Sequence, residues 1–133
     1  DAAAWARFAP VEARRILETH GNQQTRGLEA LERALSLRMY SLLNAQRSEW
    51  SNDRQELRFY MDGCRVQEAR RRKGLADFPC QSVGVVEFSK FAAAVDKRIV
   101  TRCLHCPPNS APGEFCAWAF TLFPTTMLSL ERR

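Results

Sequence analysis

Cys64-Arg-Val-Gln-Glu-Ala-Arg-Arg-Arg-Lys-Gly-Leu-Ala-Asp-Phe-Pro-Cys80 is the stretch on which the reading of this chain turns. Gly74 and Pro79 punctuate it, and helical patterns lie on either side. Cys64 continues an apolar stripe arriving from upstream. Cys80 stands just before the next helical pattern. Two antiparallel helices joined by such a turn bring their facing ends together, and a disulfide needs Cα atoms within ~7 Å. A Cys64–Cys80 bridge would close a loop of about 16 residues and add ~3 kcal/mol if loop entropy governs. The plain alternative is two buried free thiols in a helical core. The block Arg70-Arg71-Arg72-Lys73 between them reads as a solvated helix end that complements the helix dipole. It could otherwise meet phosphate, lipid headgroups or an acidic protein.

Upstream, residues 1–20 read as a first helix. Pro10 is tolerated in a first turn, and His20-Gly21 supply the stop. Residues 22–74 read as one long helix or two. Leu28, Leu31, Leu35, Met39, Leu42 and Ala45 recur at three- and four-residue steps, and Leu57, Tyr60 and Cys64 continue them. Ser51-Asn52-Asp53 are capping types and predict a break or kink there, with Trp50 anchoring the corner.

Downstream, Val85, Phe88, Ala92, Val95 and Ile99 predict a helix over 82–102. Val83-Gly84-Val85-Val86 would suit a short strand, but the longer periodicity favours helix. Residues 103–133 form a Cys- and Pro-rich loop and an apolar arm, irregular or a short strand. Trp118, Phe120 and Phe123 in that arm require a cover, in this domain or on a partner. The fold class expected is therefore mainly α: a helical hairpin or small bundle with a disulfide-pinned loop.

The loop carries Cys103, His105, Cys106 and Cys116. A disulfide from Cys116 to Cys103 or Cys106 is the expected outcome, so Cys64, Cys80, Cys103 and Cys116 are the candidate bridge-formers. Zinc is the weaker alternative. Cys103, Cys106 and Cys116 give three of the four ligands it wants, and His105 or Cys80 could complete the set. A thioredoxin-like pair is disfavoured because prolines follow Cys106 where a helix should open.

The bulk properties narrow the classes. A chain of 133 residues suits one domain, 1–133, and can bury a real core without staples. Five cysteines then favour an oxidising compartment or a metal. Asp1 reads as a processed end whose targeting segment has been removed. No apolar run approaches the ~18 residues of a membrane span. The net charge of +5 comes from arginines interleaved with acids. The aromatics do not alternate with the basic block as a nucleic-acid surface would. His20 and His105 lie in no catalytic motif. Glu29 with Glu32, and Asp53 with Glu56, read as solvated ion-pair partners. No phosphate loop or nucleophile elbow is present. An enzyme, a cofactor and a small-molecule substrate are not expected.

Tyr60-Met-Asp-Gly-Cys64, the Gly74 turn, Phe78-Pro79-Cys80 and the pattern through Phe88, Phe91 and Val95 resemble the coiled-coil-helix–coiled-coil-helix proteins of the mitochondrial intermembrane space. The likeness covers about 40 residues and matches only the inner of that family's two cysteine pairs. Arg54 and Lys90-Phe91 stand where the outer pair would fall. The resemblance implies a helical hairpin with a scaffolding role.

The function expected is a non-enzymatic structural or interaction protein, an accessory subunit of a larger, mitochondrial respiratory assembly. Its partners would be other protein subunits, with the basic block available to a membrane surface or anionic lipid. The alternatives are a secreted or periplasmic binding protein (inhibitor, immunity protein or effector) and a ribosome- or nucleic-acid-associated subunit.

Overall fold

A computed structural model describes residues 1–20, 26–109 and 111–123. The element order is α1 (Ala2–His20), α2 (Gly27–Ser36), a 3-10 turn (Met39–Leu42), β1 (Ala45–Trp50), β2 (Glu56–Gly63), α3 (Arg65–Arg72), α4 (Gln81–Val95), β3 (Ile99–His105) and β4 (Cys116–Leu122). The strands form one antiparallel sheet in the order β1-β2-β4-β3. The fold is α/β, not the mainly α hairpin or bundle expected.

The correction begins at β2. Leu57, Phe59 and Met61 alternate inward, with Arg58 and Tyr60 between them on the other face. That period of two is a strand's, and a strand's faces alternate residue by residue. Leu57, Tyr60 and Cys64 also satisfy helical steps of three and four, which is how the segment passes for helix. Ser51-Asn52-Asp53 cap no helix. They turn a β-hairpin, closed by the Ser51 amide donating to the Glu56 carbonyl at 3.0 Å. Asp53 accepts from the Ser51 hydroxyl and the Gln55 amide there, and Arg54 takes a φ of 57°.

The second correction lies in 82–102. The Asp96 backbone is extended, φ −154° and ψ 119°, so α4 stops at Val95. Ile99, four residues past Val95, opens β3 instead. The third is the apolar arm. Cys116–Leu122 is β4, a central strand, and its Trp118 and Phe120 are buried in the core. The Phe123 amide donates to the Arg98 carbonyl at 2.8 Å, and its residue is half-buried. Residues 124–133, the rest of the arm, lie outside the described residues.

Register sorts the sheet into two faces. One carries Ser48, Phe59, Trp118 and Cys103 in a row, and Trp50, Leu57, Phe120 and Thr101 in the next. Helix α4 lies on this face, with Phe88 stacked between Phe59 and Trp118 at 5.7 and 4.7 Å. The other face carries Arg47, Tyr60, Ala117 and His105, then Glu49, Arg58, Ala119 and Arg102. Helix α1 packs along α4, and its fully buried Ala9 and Ala13 permit close approach. Helix α2 contributes Leu28, Leu31 and Leu35 to the same core.

Candidate functional site

All five cysteines are free thiols. Neither the expected Cys64–Cys80 bridge nor one from Cys116 to Cys103 or Cys106 is formed. The hairpin on which the first depended does not exist, because Tyr60–Gly63 belongs to a strand. The fold nevertheless gathers the thiols at one end of the molecule. Cys80 is the residue before α4, and its carbonyl accepts from the Gly84 amide at 2.7 Å. Cys103 lies in β3 on the α4 face of the sheet. Cys116 opens β4 two residues before Trp118, hence on the same face. Cys106 follows β3 in a turn closed by the Asn109 amide on the Cys106 carbonyl at 2.8 Å.

Cys106 is the hub. It is 3% exposed, its sulfur lies 3.2 Å from that of Cys103, and the thiols of Cys116 and Cys80 lie near enough to act on it. Cys116 and Cys80, with burial and Cys103, push the Cys106 thiol far above the ordinary range. The Cys106 thiol has the opposite effect on Cys80. Against the cost of burial, and helped by its own amide and by Gln67, it brings the Cys80 thiol down to about 7. One neutral donor in the middle thus makes a thiolate beside it easier to form.

Cys64 stands beside the cluster, at the start of α3, where the Glu68 amide bonds its carbonyl. Burial raises its thiol, and nearby Cys116 and Cys80 add to that rise. Gln67, one turn along α3, was not singled out from the sequence. It is almost fully buried, and its amide group donates to the Phe78 carbonyl and accepts from the Phe78 amide, both at 2.8 Å. The same nitrogen lies 3.9 Å from the Cys80 sulfur. Gln67 therefore ties the segment before Cys80 to α3. A polar residue among arginines carries no such signal in the sequence.

His105 does not join the thiols. A register shift in β3 places it opposite Ala117 on the open face. There its Nε2 pairs with Glu114 Oε2 at 2.8 Å. Glu114 also receives Arg47, which bonds Asp62 at 2.8 Å. His20 lies exposed in the last turn of α1. The basic block ends α3. Arg70 donates to the Ala76 carbonyl, and Arg71 makes two bonds with Asp77 and stacks 4.6 Å over Phe115. Arg72 and Lys73 are exposed. Trp118 and Phe120, expected as contact residues, are core. A cavity of about 610 Å³ between α2 and β1, lined by Glu29, Glu32, Arg33, Ser36, Gln46, Arg47 and Ser48, does not reach the thiols.

Among the described residues, no three His, Cys, Asp or Glu side chains already stand at metal-coordinating spacing. The Cys103 and Cys106 sulfurs, 3.2 Å apart, are closer than a shared ion would hold them. Tetrahedral zinc with bonds of ~2.3 Å holds its sulfurs ~3.8 Å apart, so Cys103 and Cys106, now 3.2 Å apart, would have to part by about 0.6 Å. Cys103 is only partly buried, and rotation of its side chain can supply a shift of that size. The ligand types fit a soft divalent ion: four sulfurs, two of them in a Cys-x-x-Cys knuckle.

No curated protein and no solved structure matches the chain. A family model matches residues 1–122. Since that covers nearly all of its length, the chain belongs to this group, described as a family of unknown function (DUF6125).

Proposed function

We propose that this chain is a non-enzymatic, zinc-stapled interaction domain, in which Cys80, Cys103, Cys106 and Cys116 hold one zinc ion. The observation that carries the reading is the convergence of four thiols, from the start of α4, from β3 and the turn after it, and from the start of β4, on the buried Cys106. Core packing alone does not require this. A thiol is a weak hydrogen-bonding group, and an alanine or valine would fill the same space. Four protein ligands leave no open coordination position, which is the arrangement of a structural rather than a catalytic zinc. Such an ion would staple the first turn of α4 to the two strands of the β3–β4 pair. The domain it supports offers the basic end of α3 and the polar outer face of the sheet to other protein subunits.

The test is native mass spectrometry with elemental analysis, on protein produced in zinc-replete, reducing conditions. One zinc per chain is expected, ~65 Da above the chain mass, with four thiols protected from alkylation until a chelator is added. Cys106→Ser should lose the metal. A metal-free chain with two disulfides overturns the reading, and so does iron with acid-labile sulfide.

A further inference from the structure

We infer that this zinc site is an oxidant-operated switch, in which a peroxide closes a Cys103–Cys106 disulfide and expels the metal. The inference rests on the zinc reading for its consequence, but the disulfide itself stands on geometry. The two sulfurs are 3.2 Å apart without a bond between them. The cysteines have two residues between them in the chain, across the end of β3 and the turn that follows. No other part of the fold need move for them to meet.

Burial assigns the two roles. Cys103 is partly exposed and Cys106 is not, so the oxidant reaches Cys103 first. The Cys103 thiolate attacks one peroxide oxygen. An S–O bond forms, the O–O bond breaks, and hydroxide leaves, giving a sulfenic acid. The Cys106 thiolate, already in contact, attacks that sulfur. The S–S bond forms, the S–O bond breaks and a second hydroxide leaves. Two thiolates have given two electrons to one peroxide. Zinc is then left with Cys80 and Cys116 alone, and two thiolates do not retain it against water and competing chelators. Reduction of the disulfide by a dithiol restores both ligands. Cys64 plays no part in this bond.

The experiment treats zinc-loaded protein with one equivalent of hydrogen peroxide in the presence of a chromogenic zinc chelator. The disulfide is located afterwards by peptide mass spectrometry. One zinc released per peroxide consumed, a Cys103–Cys106 linkage, and recovery after dithiothreitol and zinc are expected. Cys103→His keeps a zinc ligand but cannot form the bond, and its release should slow about tenfold or more. Cys64→Ser should release zinc as the wild type does. Zinc retained under peroxide overturns the inference, as does a linkage through Cys64 or sulfinic acid without a disulfide. Absence of zinc before the oxidant is added refutes the zinc reading by itself. The linkage map on that same sample still decides the disulfide.

Discussion

Arg38 joins two carboxylates and four aromatic rings. It is 3% exposed and reaches both Glu12 of α1, at 2.9 Å, and Glu87 of α4, at 2.8 Å. Its guanidinium lies over Trp5, Tyr40, Phe88 and Phe91, with Phe91 nearest at 4.7 Å. Burial raises the Glu87 carboxyl, and Arg38 offsets only part of that rise. Truncating one member of such a group strands the other charges in the core. Arg38→Met should therefore lose about 3–5 kcal/mol in urea denaturation. Arg38→Lys should not rescue it, because a point charge cannot bridge two carboxylates and lie flat on rings. Replacing Glu12 and Glu87 by leucine alongside Arg38→Met should recover most of the loss. If the single variant unfolds like the wild type, Arg38 does not hold α1 to α4.

Asp96 does a related job at the other end of α4. Its Oδ2 accepts from the Gly27 amide at 2.9 Å, tying the start of α2 to the end of α4. Gly27 has a φ of 84°, a left-handed value that costs glycine little. Burial pushes the Asp96 carboxyl up, but hydrogen bonds from Arg98 and from the Gly27 amide outweigh it and hold the group below the usual carboxylate range. A depressed acid contributes stability that is present above its unfolded value of ~3.9 and is lost as pH falls through the folded one. Asp96→Ala should cost about 1–3 kcal/mol at pH 7, since it strands a buried amide. That gap should narrow below about pH 4, as the wild type surrenders the same contribution. Denaturation curves at pH 7 and pH 3.5 decide this, and a gap that is constant with pH counts against the carboxylate's role.

At the scale of elements, α4 shows how far periodicity carries. Its stripe places Phe88, Ala92 and Val95 inside, and they are inside. Val85 continues the same stripe in sequence but is exposed, and Gly84 faces the sheet in its place. The reason is Trp118. A Cβ on Gly84 would lie 2.7 Å from Trp118 Cζ2 and 2.9 Å from Cη2, so the helix can approach the sheet only where it has no side chain. Gly84→Ala ordinarily gains about 1 kcal/mol in a helix. Here it should lose about 1–3 kcal/mol overall, because a buried indole cannot step aside. Thermal unfolding followed by Trp fluorescence would show it, and a stabilised variant would mean that α4 can lift off Trp118 at no cost. The long stripe of the first half fails differently. Leu28, Leu31 and Leu35 hold to it because α2 is a real amphipathic helix. Met39 and Leu42 continue it on paper, yet Leu42 is 87% exposed. In β2 the alternation of Leu57, Phe59 and Met61 was present in the sequence, but steps of three and four through Leu57, Tyr60 and Cys64 were compatible with the same letters. Short apolar runs leave that ambiguity open, and only pairing with β4, some sixty residues away, resolves it.

The same long-range pairing decides the site at the scale of the whole molecule. Cys103, Cys106 and Cys116 were legible as a group, with His105 and Cys80 as rival fourth members. Strand alternation and the register shift send His105 to the open face, while the seat of α4 on the sheet brings Cys80 in; neither is written in spacing alone. If zinc joins these four thiols, it links the first turn of α4, the end of β3 and the start of β4 across the end of the domain far from Asp96. Removing it should then act locally before it acts globally. Chelation under reducing conditions should cost at least ~3 kcal/mol, which for a chain of this length is about 10 °C in Tm. Amide exchange should rise first in the turn after Cys106 and at the Gly84–Cys80 bond. The α1–α4 contact held by Arg38 should keep its protection, because none of its bonds passes through the thiols. Uniform loss of protection would mean that the metal supports the whole core. No change on removing a bound ion would mean that the thiols hold it without using it as a staple.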